Sequence, residues 1–274
     1  MIKLLAIDMD GTCLDPFSRF SSQNLDALYR AKEAGIEIVP TTGRTLTCLP
    51  HALKEHPDLF RYVITSNGAK VHDMRKGCDL FESRIPAYLI EEFVETFRHD
   101  RLKLSAHINN EYWVDGSLMK AQGRIVFGKD AKQCKTSDNL FDTLLEQKEH
   151  IEEIQLYFIG PGQKKKIAEK LESLIELNAA FTRIYVEIFD RQSSKGKALK
   201  KLCRHLNITQ EEIACIGDGE NDVFMFEVAG ISFAMGNAKE AIRQKATYVT
   251  ASNRNNGVAK AIDQILANIH ENYS

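Results

Sequence analysis

Residues 2–15 read IKLLAIDMDGTCLD and place two aspartates at the end of an apolar run. The apolar residues 3–7 predict a strand that is buried on both faces. Residues two apart on a strand point to the same side, so Asp8 and Asp10 can share one site. A simple Asp-Gly turn explains Asp10 and Gly11 but gives no reason for Asp8. Two adjacent anions are costly unless a cation or a proton relieves them, and Mg²⁺ would do so.

Further apolar runs alternate with amphipathic stretches after this first strand. Residues 36–44 (IEIVPTTGR) and 61–71 (RYVITSNGAKV) predict the next two strands, each preceded by a helical pattern. This order implies parallel pairing with right-handed crossovers. Ligands of such sheets bind at the carboxyl ends of the strands. Asp8, Thr42 and Asn67 fall at such ends, so we expect them on one edge of the sheet.

The middle of the chain has the pattern of mixed hairpins and helices. After Ser194 the alternation of strands and helices that predicts parallel pairing returns. Residues 161–177 predict one helix with an apolar core face that reaches Leu177, and residues 181–189 predict one strand. We therefore predict an α/β protein with a doubly wound parallel-sheet (Rossmann-like) core and an inserted α+β cap domain. The predicted core comprises residues 1–84 and 188–274, and the predicted cap comprises residues 85–187.

A second acidic loop, residues 217–222 (GDGEND), follows the apolar run IACI. It fails as a dinucleotide-binding motif because Asp222 stands where the third glycine is needed. Oxygen ligands in a loop suit Mg²⁺, but an acidic turn that caps a helix explains the loop equally well on its own. Combined with Asp8 and Asp10, the pattern favours the metal, because Asp218 and Asp222 would complete a cage of carboxylates.

Two other segments suit an anionic substrate. The hydroxyl and backbone N–H groups of residues 41–44 (TTGR) can hold phosphate oxygens, although a turn that caps the next helix is at least as good an explanation. Lys195, in residues 193–197 (SSKGK), is not part of a Walker A loop. A lone lysine beside glycine is usually a solvated surface residue, but in an acidic pocket it would neutralise charge during phosphoryl transfer.

Composition limits the classes of partner. The 274 residues carry a formal net charge of −2, so no basic field attracts nucleic acid or an anionic membrane. The six cysteines include no C-x-x-C pair and match no zinc pattern, which indicates a reducing compartment. The first apolar run is too short for a signal peptide. We expect a cytoplasmic protein without nucleic-acid or membrane partners.

Taken together, the motifs resemble those of the haloacid dehalogenase (HAD) superfamily of phosphatases, in its Cof-like branch with a C2-type α+β cap. The family's D-x-D-G-T motif matches residues 8–12, T-G-R matches residues 42–44, the motif lysine falls on Lys195, and G-D-G-x-N-D matches residues 217–222. Secondary signatures match residues 66–69, 234–238 and 256–259.

The resemblance implies a Mg²⁺-dependent phosphatase that hydrolyses small phosphorylated metabolites, sugar phosphates first among them. Asp8 is the implied nucleophile, which forms an aspartyl-phosphate, and Asp10 is the implied general acid and base. The implied metal ligands are Asp8, the backbone carbonyl of Asp10, and Asp218, with Asp222 supporting the metal shell. The implied phosphate-binding groups are Thr42, Gly43, Lys195, Asn221 and the backbone N–H of Met9.

Two rival functions remain open at this point. A phosphomutase or phosphotransferase of the same superfamily would share all four motifs. A phospho-acceptor signalling module also pairs an acidic cluster with an acceptor Asp, a Thr and a Lys, but such modules are shorter and lack the insertion. The sequence leaves the oligomeric state open.

Overall fold

The computed structural model describes residues 1–15, 17–117, 119–121 and 133–271. The chain divides into two compact units. The first, here called the core unit, comprises Met1–Gly43, Pro50–Phe81 and the residues from Lys195 onward; the second, the inserted unit, comprises Arg44–Leu49 and Glu82–Ser194. The boundaries expected from the sequence, at residues 84/85 and 187/188, stay a prediction.

The core unit is built on an eight-stranded sheet. Its strands are β1 (Leu4–Asp8), β2 (Glu37–Thr41), β3 (Tyr62–Thr65), β4 (Lys70–Asp73), β5 (Cys78–Glu82), β12 (Ile213–Gly217), β13 (Ile231–Ala234) and β14 (Tyr248–Val249). They lie in the order β14-β13-β12-β1-β2-β3-β4-β5. Every neighbouring pair from β14 to β3 is parallel, and β3 pairs with β4 in antiparallel fashion.

Helices connect these strands. They are α1 (Ser22–Glu33), α2 (His51–Glu55), α6 (Lys195–Leu206), α7 (Val223–Phe226), α8 (Glu240–Arg243) and α9 (Gly257–Glu271). Leu4 and Ala6 of β1 share one buried apolar cluster with Leu199 and Leu202 of α6. No helix in the described part of the chain is long and apolar enough to span a membrane.

Parallel pairing brings the carboxyl ends of four strands to one edge of the sheet. The register places Asp8 opposite Thr41, and Thr41 opposite Ile64. On the other side of β1, Ile7 lies opposite Ile216 of β12. The loops that follow β1, β2, β3 and β12 therefore start side by side, as expected for a parallel sheet.

The inserted unit has a second sheet and its own helices. The strands are β6 (Lys103–Ile108), β7 (Glu111–Asp115), β8 (Lys135–Ser137), β9 (Ile151–Tyr157), β10 (Leu177–Phe181) and β11 (Tyr185–Asp190), and the helices are α3 (Ala87–Phe97), α4 (Leu140–Glu146) and α5 (Gly160–Leu171). The strand order is β10-β11-β9-β6-β7-β8, antiparallel except for β7 and β8. The predicted fold class, a doubly wound parallel core with an inserted α+β domain, is confirmed.

One element of the inserted unit differs from the prediction. The helix predicted over residues 161–177 ends at Leu171, and Leu177 begins β10. The strand predicted over residues 181–189 is two strands, since β10 pairs with β11 across a turn. Ile175, expected on the core face, is 69% exposed. The residues between Leu171 and Leu177 favour a helix locally, but pairing with β11 outweighs this preference.

Replacement of Gly196 tests the packing of α6 in the core unit. A Cβ atom at this position would lie 1.8 Å from the backbone oxygen of Phe224. We expect Gly196→Ala to lower the free energy of unfolding by about 1–3 kcal/mol or more, because a backbone atom must move. Gly162→Ala is the matched control, since nothing lies within 4 Å of its Cβ; it should stabilise its helix by about 0.5–1 kcal/mol. Urea unfolding of both variants measures the difference, and equal stability would contradict the packing.

Candidate active site

A buried ammonium group joins the ends of two strands. The Nζ atom of Lys195 donates to Oδ1 of Asp8 at 2.5 Å and to Oδ1 of Asp222 at 2.7 Å. Asp8 is the last residue of β1, Lys195 is the first residue of α6, and Asp222 immediately precedes α7. All three side chains are buried. The sequence-predicted lysine is therefore part of an acidic pocket and is not a solvated surface residue.

The second oxygen of Asp222 organises the acidic loop. Its Oδ2 atom accepts hydrogen bonds from the backbone N–H groups of Asp218 and Gly219, both at 2.9 Å. One oxygen thus satisfies backbone groups of its own loop, and the other binds Lys195. The capping explanation of this loop accounts for one oxygen of Asp222, and the charged site accounts for the other.

Asp218 is held in place by residues that follow β1 and β13. Its Oδ1 atom accepts from Oγ1 of Thr12 at 3.2 Å, and its Oδ2 atom accepts from Nδ2 of Asn237 at 3.1 Å. The same Asn237 amide donates to the backbone oxygen of Gly11 at 2.9 Å. Gly11 has φ +86°, and a Cβ there would lie 2.6 Å from the Asp218 carboxylate. The turn after β1 therefore requires glycine at position 11 for two reasons, its positive φ and the lack of space for a Cβ atom.

Negative charge exceeds positive charge at the centre of this site. Oxygen atoms of Asp8, Asp218 and Asp222 lie within 4.8 Å of one another. Burial and the neighbouring Asp222 raise the pKa of Asp218 to about 7, and the same two causes raise the pKa of Asp8 well above its usual range. Burial acts against the charge on Lys195, but Asp222 and Asp8 outweigh it and raise the pKa of that ammonium. One lysine does not balance three carboxylates, so the cluster favours a further cation or a proton.

The donor set fits a hard divalent cation. The Oδ2 atom of Asp8 is buried and has no hydrogen-bond partner within the described structure. A buried, unpaired carboxylate oxygen is costly unless a ligand satisfies it. Oxygen donors from Asp8, Asp218 and Asp222 match the preference of Mg²⁺ for carboxylates. These residues could hold a metal ion.

Thr42 and Asn221 lie in loops that meet through Asn67. The backbone N–H of Thr42 donates to Ile64 at 2.9 Å, and its carbonyl accepts from the N–H of Asn67 at 3.2 Å. The side-chain oxygen of Asn67 accepts from Nδ2 of Asn221 at 2.8 Å. Gly43, the next predicted phosphate-binding residue, is half-buried beside the buried Thr42.

Met9 and Asp10 occupy the turn that leaves β1. The carbonyl of Met9 accepts from the N–H groups of Cys13 and Leu14 at 3.1 and 3.0 Å, which closes the turn. Met9 is buried and Asp10 is exposed. The side chain of Asp10 does not belong to the cluster of three aspartates that could hold a metal ion. The roles predicted for both residues stay predictions.

Three contacting residues lie in motifs or at strand ends that the sequence analysis noted, but it assigned none of them a role: Thr12, Asn67 and Asn237. Thr12 and Asn237 bind Asp218, and Asn67 binds Asn221. Asn67 has φ +51°, a left-handed conformation that Asn tolerates better than most residues. The available signal was positional, because Asn67 follows β3 and Asn237 follows β13 at the edge that carries the other site residues.

Comparisons with known proteins find relatives over nearly the full length of the chain. Residues 5–262 match the sequence profile of the haloacid dehalogenase-like hydrolases. The chain is 31% identical to the 5-amino-6-(5-phospho-D-ribitylamino)uracil phosphatase YwtE of Bacillus subtilis, with 97% of this chain and 99% of that protein covered. It is 30% identical to an HMP-PP phosphatase of Yersinia enterocolitica, with 100% and 99% covered.

A solved structure shows the same architecture over the whole chain. A haloacid dehalogenase-like hydrolase from B. subtilis superposes with a TM-score of 0.84 at 28% identity, and the match covers 96% of this chain and 99% of that one. The predicted family and the predicted enzyme class, a phosphatase, are confirmed. The chain belongs to the haloacid dehalogenase-like hydrolase family.

Proposed function

We propose that the protein is a Mg²⁺-dependent phosphatase that hydrolyses small phosphorylated metabolites, sugar phosphates among them, through an aspartyl-phosphate. The observation that carries this proposal is the buried Lys195 between Asp8 and Asp222, in a cluster with excess negative charge. The relatives support the substrate class, because those from B. subtilis and Yersinia are named as phosphatases of small phosphorylated compounds.

Asp8, the backbone carbonyl of Asp10, and Asp218 would hold Mg²⁺, and Asp222 would support this shell. When bound, Mg²⁺ supplies positive charge that stabilises the phosphoryl oxygens in the transition state. The unpaired Oδ2 atom of Asp8 and the raised pKa of Asp218 support this assignment. An unpaired oxygen and a raised pKa are both expected of carboxylates that bind a cation.

The proposed chemistry divides between the two aspartates of the first turn. The Asp8 carboxylate attacks phosphorus, and the bond from phosphorus to the leaving oxygen breaks as Asp10 donates a proton to that oxygen. Asp10 then accepts a proton from the water that hydrolyses the aspartyl-phosphate. Its exposure supports this role, since an exposed carboxyl group can reach both the leaving group and water.

The remaining site residues would bind the phosphoryl group. Lys195 uses two of its three N–H donors on carboxylates, which leaves one for a phosphoryl oxygen. The other proposed phosphate-binding groups are Thr42, Gly43, Asn221 and the backbone N–H of Met9. Positioning and charge neutralisation are the main requirements of phosphoryl transfer, and these groups supply both. The six cysteines are free thiols, which supports the proposed cytoplasmic location.

Replacement of the proposed nucleophile should abolish turnover without loss of the fold. We expect Asp8→Asn to lower phosphate release by at least about 1,000-fold, because an amide cannot form the acyl phosphate. The variant should remain folded, since the pKa of Asp8 is already raised towards the neutral form. Phosphate release over a metabolite panel and thermal unfolding measure the two effects. Asp26→Asn, an exposed aspartate of α1, is the control and should match wild type; wild-type turnover by Asp8→Asn would refute the assignment.

Removal of the metal should stop the reaction reversibly. We expect EDTA to abolish phosphate release and added Mg²⁺ to restore it. Mg²⁺ should also raise the melting temperature of the metal-free protein, because a ligand that binds only the folded state stabilises it. Asp218→Asn should weaken this thermal shift. A shift of equal size in that variant would remove Asp218 from the metal site.

Product analysis separates hydrolysis from transfer. We expect free phosphate and the dephosphorylated metabolite in equal amounts, because water accepts the phosphoryl group from Asp8. Phosphorus NMR of a completed reaction measures the free phosphate, and proton NMR measures the dephosphorylated metabolite. An isomerised sugar phosphate without free phosphate would instead establish the mutase activity.

A further inference from the structure

We propose that Cys48 and Cys134 form a reversible disulfide when the protein meets a hydroperoxide, and that this bond slows turnover. The two Sγ atoms lie 3.9 Å apart, although 86 positions separate the residues in the chain. Both belong to the inserted unit. The bond itself is independent of the proposed phosphatase function, and only the effect on turnover rests on that function.

The geometry favours bond formation. Cys48 is the last residue of a short 3-10 turn, Leu46–Cys48, and Cys134 directly precedes β8. Both sulfur atoms belong to one small buried cluster, against which Tyr112 packs. A disulfide needs the sulfurs at about 2.05 Å. Because each cysteine lies at the end of a short segment, side-chain rotation and a small backbone shift can close the gap.

The surroundings of Cys48 favour the reactive thiolate. A hydrogen bond from the Cys134 thiol, which outweighs the effect of burial, lowers the pKa of Cys48 to about 6. The hydroxyl groups of Thr45 and Thr47 and the charge of Arg44 act in the same direction. At neutral pH a thiol with this pKa is largely ionised, and the thiolate is the nucleophile that attacks peroxides.

Three of the other cysteines lie in surroundings that disfavour the thiolate. Burial raises the pKa of Cys203 to about 12 and raises the pKa of Cys13 and Cys215. Cys78 is exposed on β5. We therefore expect Cys48 to be oxidised before Cys13, Cys203 and Cys215, and the Cys78→Ser variant tests the exposed thiol.

The proposed reaction has two steps. The Cys48 thiolate attacks one peroxide oxygen, the O–O bond breaks, and the products are a sulfenic acid and hydroxide, or an alkoxide from an organic peroxide. The Cys134 sulfur then attacks the Cys48 sulfur, the S–O bond breaks, and the leaving hydroxide takes the Cys134 proton as water. Overall, two thiols lose two electrons and two protons, and one molecule of hydrogen peroxide becomes two of water. A dithiol reductant reverses the bond by thiol–disulfide exchange.

The connection to turnover runs along the chain. Cys48 lies in Arg44–Leu49, which directly follows Thr42 and Gly43, the proposed phosphate-binding residues. This segment is held within the inserted unit by a hydrogen bond of 2.9 Å from Oγ1 of Thr47 to the carbonyl of Asn110. A disulfide at Cys48 would add a covalent bond to this attachment until it is reduced, and it would restrain the loop that carries Thr42 and Gly43. Small misplacements of such groups reduce turnover strongly.

The experiment treats the purified full chain with hydrogen peroxide and then with dithiothreitol. We expect intact mass spectrometry to show the loss of two hydrogen atoms, and peptide mapping to show a Cys48–Cys134 cross-link. Phosphate release should fall by about tenfold or more and should return after reduction. Cys48→Ser and Cys134→Ser should keep the untreated rate and resist peroxide, whereas Cys78→Ser, the control, should respond as wild type does.

Three results would overturn the proposal. Absence of the cross-link in the wild-type peptide map refutes the site, and this measurement needs no variant to fold. A reversible loss of activity that persists in both serine variants assigns the effect to another residue. A complete cross-link with an unchanged rate refutes the effect on turnover. If the chain releases phosphate from no metabolite, the proposed function fails, while the peptide map still decides the cysteine pair.

Discussion

The candidate active site depends on one buried positive charge. Lys195 contacts carboxylates that lie 187 and 27 positions away in the chain, and it brings α6, β1 and the acidic loop together. The attraction within a buried ion pair offsets the free-energy cost of desolvation only when the geometry is good. Loss of one partner nevertheless lowers the free energy of unfolding by about 3–5 kcal/mol, because the other charge stays buried. The cluster nevertheless carries more negative charge than Lys195 can balance. This imbalance is unfavourable for stability and favourable for binding a cation, whose charge would in turn attract a phosphoryl group.

The parallel sheet makes this concentration of charge possible. Adjacent parallel strands end at the same edge, so four loops begin within one strand spacing of the next. The four strand ends contribute three kinds of group: carboxylates at the ends of β1 and β12, a threonine after β2 and an amide after β3. Helices on the faces of the sheet keep β1 fully buried, which fixes the position of Asp8.

Much of this arrangement could be predicted from the sequence, and the failures have identifiable causes. The alternation of apolar and amphipathic segments predicted the core, because buried parallel strands are continuously apolar. The helix predicted over residues 172–177 was wrong, because the local helix preference of a segment does not depend on a partner strand more distant in the chain. Asn67 and Asn237 were noted at strand ends or in motifs but were assigned no role, because an asparagine after a strand is common in any loop. The pairing of Cys48 with Cys134 has no sequence signal at all, since neither spacing nor composition reports which segments meet.

The sequence by itself determined the family, the fold class and the residue types at the site, because the motifs are short and each follows a predicted strand. Only the tertiary structure decided that Asp222 uses one oxygen for its own loop and the other for Lys195. It also decided that Oδ2 of Asp8 has no hydrogen-bond partner among the residues that the structure describes. The physical reason is that hydrogen bonding and charge balance depend on distances between atoms. Those distances are set by the packing of segments far apart in the chain, which no local pattern contains.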